Sequence, residues 1–220
     1  MRTVIPKNFS LKRARYTQKI IAEKVIEEDC LPQKVEKAVG IDLAYRNNIA
    51  VGAAVIVEKS SFRVIEKKYA ITKVSFPYIP TLLAFREIFP AWSAIRKLEK
   101  DFDVIFVDGN GRLHPYKAGF ACQLGVILDK PTIGIAKKLL CGRVGFWRGR
   151  KAPIYYNNET IGYALKTLER AKPIYVSIGH KVSLETAIRL TLSFTKKRLK
   201  LPEPIRQAHI LANSVVRSLE

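Results

Sequence analysis

The sequence is poor in the residues that build disulfide, zinc and membrane proteins. Its three cysteines, Cys30, Cys122 and Cys141, are odd in number and form no CxxC pair, which argues against a disulfide framework and a cysteine zinc site. A reducing cytoplasm is the expected compartment. The longest apolar run, Ile49 to Val57, contains a glycine and is too short to cross a bilayer as a helix. The N-terminal stretch MRTVIPKNFSLKRARYTQ lacks the apolar core of a signal peptide. No membrane partner is therefore expected. There is no low-complexity tract, internal repeat or Gly/Ser linker, so residues 1–220 read as a single domain, expected to act as a monomer. Methionine and glutamine are scarce while Lys, Arg, Ile and Val abound, a bias associated with hot habitats. Acids are the last shortage. Asp plus Glu number 19 against 39 Lys plus Arg, leaving a net charge of +20 and a pI near 10.0. A surplus of that size favours a polyanionic partner, because each cation set against a phosphate releases a counterion. An acidic membrane surface would also attract it, but nucleic acid is the stronger reading.

What is present patterns into a mixed α/β chain. Apolar positions at helical spacing run through residues 14–29 and end in an acidic cluster. Residues 37–46, 49–58 and 62–72, rich in Val, Ile, Ala and Tyr, predict three strands of an antiparallel meander. Asn47-Asn48 suits a tight turn between the first two. Pro77-Tyr78-Ile79-Pro80 is stiff, since proline fixes φ and biases its predecessor towards extended backbone. A helix is expected over 82–100, with Pro90 at the start of its main part or kinking it. Residues 103–108 read as a buried strand, 116–128 as helix and 131–136 as strand, a unit that implies a parallel pair with a right-handed crossover. Residues 142–160 are read as loop or hairpin, followed by strands near 161–168 and 173–178. Two helices close the chain, one capped by Ser183 with Glu185 in its first turn, the other starting at Pro202-Glu203-Pro204.

Three acids stand out on this frame. Asp42 sits among apolar neighbours in the first strand, where a carboxylate is costly to desolvate unless something neutralises it. Taken alone, it is better explained by strand alternation turning it to solvent. Asp108 ends the strand 104–107 and is followed by Gly109-Asn110-Gly111, at the strand terminus where ligands gather in α/β sheets; an aspartate capping the next helix is an equal alternative. Glu87 lies near the start of the 82–100 helix. An Asp in the first strand, an acid on the first helix after the meander and an Asp ending the fourth strand is the order found in nucleases of the RNase H-like fold. There the first and fourth strands adjoin. Three converging carboxylates repel one another unless divalent cations compensate them, and oxygen donors with few histidines point to Mg²⁺ or Mn²⁺ rather than zinc. Two such ions would lie about 4 Å apart.

A more specific resemblance is carried by an ordered set of motifs. Pro77-Tyr78-Ile79-Pro80 with Phe85-Arg86-Glu87, Val107-Asp108-Gly109 with His114-Pro115, and Leu124-Gly125 through Pro131 to Lys138 and Cys141-Gly142 are similar to the endonuclease V pattern. So are Val176-Ser177-Ile178-Gly179-His180 and Leu201 to Arg206. The resemblance implies that Asp42 and Asp108 are the principal metal ligands and Glu87 the third carboxylate. It implies that His114 orients water or a phosphate oxygen, and that Lys137 stabilises charge on the attacked phosphate. His209, beside the apolar stripe Ile205, Ala208, Ala212 and Val215, is either a core-edge histidine or a neighbour of the metal site. For lesion recognition, the resemblance makes Pro77 to Pro80 a rigid wedge, with Tyr78 filling the space of a base rotated into a pocket. Gly109 and Gly111 would line that pocket and read the base through their backbone. Four positions depart from the family pattern: Thr81 and Asn110, where glycine and histidine are common, and Tyr116 and Gln123, where arginine and histidine are frequent. No carboxylate is lost.

The implied activity is a Mg²⁺-dependent endonuclease, Mn²⁺ substituting, that recognises deoxyinosine in DNA. It would hydrolyse the second phosphodiester bond 3′ to the lesion, leaving 3′-hydroxyl and 5′-phosphate ends. Inosine-containing RNA is the rival substrate, and a basic nucleic-acid-binding protein without catalysis the rival class. The basic clusters Lys137-Lys138, Arg143 to Lys151 and Lys196 to Lys200 are candidates for phosphate tracking.

Overall fold

A computed structural model describes residues 9–74 and 76–219. The meander appears as β1 (Lys37–Arg46), β2 (Ile49–Glu58) and β3 (Val64–Lys73), joined antiparallel, with Asn47 taking the positive φ its turn requires. Then follow α2 (Leu83–Ile95), β4 (Val104–Asp108), α3 (Phe120–Leu128) and β5 (Thr132–Ala136), after α1 (Leu11–Lys24) at the N-terminal end. β4 lies parallel to β5, as the strand–helix–strand pattern predicts, and parallel to β1 on its other side. The segment read as loop or hairpin forms β6 (Arg143–Val144) and β7 (Lys151–Tyr156). It is followed by β8 (Glu159–Leu165), β9 (Ile174–His180), α4 (Leu184–Ser193) and α5 (Glu203–Arg217). Among the described residues the strands form one mixed sheet in the order β3-β2-β1-β4-β5-β9-β8-β7-β6. This is the expected single-domain α/β architecture of RNase H-like type. No helix among the described residues is long and apolar enough to cross a membrane.

Alternation along the central strands sorts the core into two layers. On one face Val39 and Ile41 of β1, with Ile105 and Val107 of β4, pack under α2 and α3. On the other, Ala38, Val104 and Phe106 meet α4 and the start of α5, while Ala44 continues the layer beneath Ala208 and Ala212 of α5. The even-numbered positions of β1 and β4 therefore face α5. The close seating of that helix is set at Gly40, where a Cβ would fall 2.0 Å from the Pro204 carbonyl group.

Several element boundaries differ from the sequence reading, among them those of α1, α2 and α3. α1 ends at Lys24 rather than 29. Beyond it the Ile26 carbonyl accepts from the Lys181 N–H at 2.7 Å, and the Asp29 carboxylate accepts from Ser183 N and Thr186 Oγ1, adding a second cap to α4 beside Ser183. α3 starts at Phe120 rather than 116, because His114 to Lys117 close a turn in which Lys117 has φ +49°. α2 stops at Ile95, and Pro90 lies inside it rather than at its start.

Candidate functional site

The register of β1 against β4 builds the centre of the site. Ile41 stands beside Val107, so the next residue of each strand, Asp42 and Asp108, places two carboxylates on the α5 face. Seating α5 on Gly40 through Pro204 and Ile205 brings the residue one turn further on, His209, over the same point. Its Nδ1 lies 2.6 Å from Asp42 Oδ2. One ligand atom each from Asp42, Asp108 and His209 lies within 4.8 Å of the others. Lys137, the first residue after β5, sets its ammonium on the Asp108 carboxylate. The Leu43 N–H donates to Asp42 Oδ1 at 2.8 Å. Asn213, one turn beyond His209, donates to its carbonyl at 2.8 Å.

Burial and the neighbouring Asp108 push the Asp42 carboxyl up to about 6, against the pull of Lys137 and His209. Burial by itself would lower the Lys137 ammonium, but Asp108 and Asp42 outweigh it and hold it above its ordinary value. Glu87 is the most perturbed acid. Burial, with Asp42 and Asp108 nearby, raises it to about 8 although Tyr45 Oη donates to its Oε1 at 2.8 Å.

Glu87 shares the cleft with Asp42 and Asp108, a space of about 500 Å³ that also includes Lys137 and His209. It reaches that cleft from α2, on the opposite face of the sheet, and is not part of the tight three-residue cluster. The third donor there is His209, for which the sequence left a core-edge position equally open. Tyr45 and Asn213 had no part in the sequence reading. The only hint of Asn213 was its spacing of four from His209, which puts both on one helix face.

Next to the cleft, sharing Leu83 as a wall, lies a cavity of about 80 Å³. Tyr78, Thr81, Asn110, His114 and Phe120 border it. Tyr78 is 67% exposed at the rim, between half-buried Pro77 and Ile79, with Pro80 beyond. Thr81, at the position where the resemblance expects glycine, has φ +68°, a left-handed conformation that glycine adopts freely. Three side chains hold it there. Arg15 donates to its Oγ1 at 2.8 Å and Gln18 to its carbonyl at 2.6 Å, while His114 Nε2 lies 3.1 Å from the same carbonyl.

His114 is thus part of the cavity wall. Its Nδ1 accepts from the Tyr116 N–H at 3.1 Å, so Nε2 is the nitrogen that donates to Thr81, and burial lowers the ring to about 4. The expected role in orienting water or phosphate does not match this placement, because both ring nitrogens are engaged away from the carboxylates. Gly109 and Gly111 do not line the cavity either. Their N–H groups donate to the Ile135 carbonyl and to Ser177 Oγ, each at 3.0 Å, and a Cβ on Gly111 would lie 2.0 Å from the Ile178 carbonyl oxygen. Gly111 thus lets the turn pack on β9, while Gly109 lies against the Phe120 ring. Asn110 between them borders the cavity, and its buried Oδ1 has no partner.

The family model for endonuclease V matches residues 19–210. The chain belongs to the endonuclease V family. It is 55% identical to endonuclease V of Thermofilum pendens over 213 residues, which is 97% of this chain and 92% of that one. Among solved structures, the endonuclease V of Streptomyces avermitilis superposes with a TM-score of 0.87 at 34% identity, covering 99% and 98% of the two chains. That of Ciona intestinalis, in complex with a 24mer DNA containing an inosine followed by a ribo-adenosine, gives 0.86 at 29% identity over 96% and 99%. The endonuclease V fold thus places its acidic candidate metal site at the junction of β1, β4 and α5, and the chain is a nuclease of this family.

Proposed function

We propose that the protein is a Mg²⁺-dependent endonuclease, with Mn²⁺ able to substitute, that recognises deoxyinosine in DNA. It cuts the second phosphodiester bond on the 3′ side, leaves 3′-hydroxyl and 5′-phosphate ends, and works as a monomer in the cytoplasm. The observation that carries this reading is the convergence of Asp42, Asp108 and His209 beside a cavity rimmed by Tyr78. The donor set fits a hard dication. Two carboxylates and one imidazole meet, a third acid lies in the same cleft, and burial together with this crowding raises Asp42 and Glu87 well above ordinary carboxylates. Asp42, Asp108 and His209 would hold the ion, with Glu87 facing it from α2. When bound, such an ion polarises the phosphoryl oxygens and acidifies water.

The protein's own groups supply the rest. Lys137, resting on Asp108, is placed to share its ammonium with a phosphate oxygen as negative charge develops there. Tyr45 anchors Glu87, and Asn213 sits beside the His209 ring. Tyr78, carried by the stiff Pro77 to Pro80 segment, would fill the gap left by the rotated base. Asn110, whose buried Oδ1 lacks a partner, borders the cavity such a base would enter. That oxygen is an acceptor suited to the N1–H of hypoxanthine. The DNA-bound Ciona relative supports a DNA substrate. The ribo-adenosine in that complex also keeps inosine-containing RNA as a second reading.

A labelled duplex with one deoxyinosine and the matching inosine RNA, each with Mg²⁺ or EDTA, would test both readings. The expected result is a single Mg²⁺-dependent nick in the DNA, at least about a hundredfold slower in Asp108→Ala. Faster cutting of the RNA would replace the DNA reading with the second one. No metal-dependent cutting of either, with binding retained, would overturn the nuclease assignment for these substrates.

A further inference from the structure

The hairpin of β6 and β7 carries a surface that the site just described does not use. Between Asp129 and Glu159 the chain has no acidic residue, yet Arg143, Arg148, Arg150 and Lys151 cluster at this hairpin and are all exposed. Phe146 at its tip is 93% exposed, although burial of a phenylalanine is favourable. The tip is ordered by its own hydrogen bonds. The Gly145 N–H donates to the Pro153 carbonyl at 2.8 Å, and Arg148 and Lys151 pair backbone to backbone across a turn in which Gly149 has φ +61°. Lys166 ties the tip to β8, donating its N–H to the Arg150 carbonyl at 2.8 Å and setting its ammonium 4.7 Å from the Trp147 ring centroid. The side chains of Phe146, Tyr155 and Tyr163, with Arg148, Lys151 and Pro153, enclose a shallow hollow of about 320 Å³.

From this arrangement we infer that the hairpin tip is a second nucleic-acid contact, which takes an unpaired stretch of DNA by stacking a base against Phe146 and Tyr155 and pairing its phosphates with Arg148 and Lys151. Aromatic faces interleaved with cations on a fixed support are what single-strand binding requires, because every base offers a π-face and every nucleotide a phosphate. Bases inside an intact duplex are already stacked and present little face to Phe146. Charge complementarity selects this occupant over another protein or a second copy of the chain. β6 is only two residues long and begins with Arg143, and short, cationic edge strands disfavour edge-to-edge pairing. The hairpin is also rooted beside the proposed lesion cavity. It packs on Leu113 and Leu139, the immediate neighbours of the cavity residues His114 and Leu140. An unpaired strand leaving that region has this hollow within reach. The choice of DNA rests on the function proposed above, whereas the stacking surface itself does not.

The test is fluorescence anisotropy in EDTA with lesion-free probes, so that neither metal nor inosine enters. The probes are a labelled single-stranded oligothymidylate, a blunt duplex of the same length and an oligouridylate. Phe146→Ala is expected to weaken the single strand about tenfold and the duplex less than twofold, with Phe146→Trp restoring affinity. Arg148→Ser combined with Lys151→Ser should lower the single-strand salt slope by about 1.4. Unchanged single-strand affinity in Phe146→Ala, or equal losses on single strand and duplex, would overturn the inference. So would a Phe146-dependent change in sedimentation that tracks a dimer, since the tip would then serve self-association. Tighter, Phe146-dependent binding of the oligouridylate would overturn the assignment to DNA. Because no cleavage is measured, failure here leaves the nuclease reading untouched, and failure of that reading would remove only the choice of DNA, not the stacking surface.

Discussion

His114 is buried against the Thr81 carbonyl and stays neutral in the folded protein, while in the unfolded chain it titrates near the ordinary histidine value. Between pH 6.5 and about 4 the unfolded state therefore binds the extra proton, and stability falls as pH drops through that window. The loss amounts to roughly 3 kcal/mol by pH 4, since a proton held only by the unfolded chain costs the fold about 1.4 kcal/mol for each step of one in pH. Urea unfolding of the wild type at pH 7 and pH 4.5, set against His114→Gln, checks this. The glutamine variant should be less stable at pH 7, yet show a shallower decline towards acid. An identical decline in both proteins would mean that His114 is not the group responsible. The same residue shows how a chemically suggestive histidine becomes a structural one. Its Nδ1 is committed to Tyr116 and its Nε2 to Thr81, so it sets the shape of the cavity that Tyr78 rims.

At the scale of elements, the metal-site geometry depends on how closely α5 lies on β1. Gly40 leaves no room for a methyl group against Pro204, and α5 delivers His209 one turn beyond that contact. Gly40→Ala should therefore destabilise the protein by about 3 kcal/mol or more, since backbone rather than a flexible side chain must move. In whatever fraction folds, it should also weaken Mn²⁺ binding, because His209 is lifted from Asp42. Denaturant midpoints and Mn²⁺ titration followed by electron paramagnetic resonance measure the two effects separately. A folded Gly40→Ala protein with native Mn²⁺ affinity would break the link between that crossing and the site. α1 plays a comparable part on the far side of the cavity, where Arg15 and Gln18 hold Thr81 in its left-handed conformation.

For the whole molecule, a net charge of +20 makes non-specific DNA affinity a function of salt. If about six phosphates are neutralised, affinity should fall roughly a thousandfold between 50 and 200 mM salt. Anisotropy titrations of an undamaged duplex across that range give the slope directly, and a slope below about 2 would show that the charge lies on faces remote from DNA. On a single strand, by contrast, the proposed hairpin contact predicts that part of the salt slope belongs to Arg148 and Lys151 rather than to the cleft.

The sequence alone determined the order of strands and helices, because alternation, helical spacing and turn residues are local signals that each segment carries by itself. It also determined which acids stand in the endonuclease V order, with Asp42 in β1 and Asp108 ending β4. Only the tertiary structure decided which helix covers which face of the sheet. Alternation says that Asp42 and Ile41 point to opposite sides, but not that α5 lies above one and α2 above the other. That assignment puts His209 over Asp42, leaves Glu87 to enter the cleft from the opposite face, and engages the amides of Gly109 and Gly111 within the fold. It also ends α1 five residues early, where Asp29 finds the first turn of α4. Each of these outcomes depends on groups distant in the chain competing for the same hydrogen bond or the same space, and no local pattern encodes that competition.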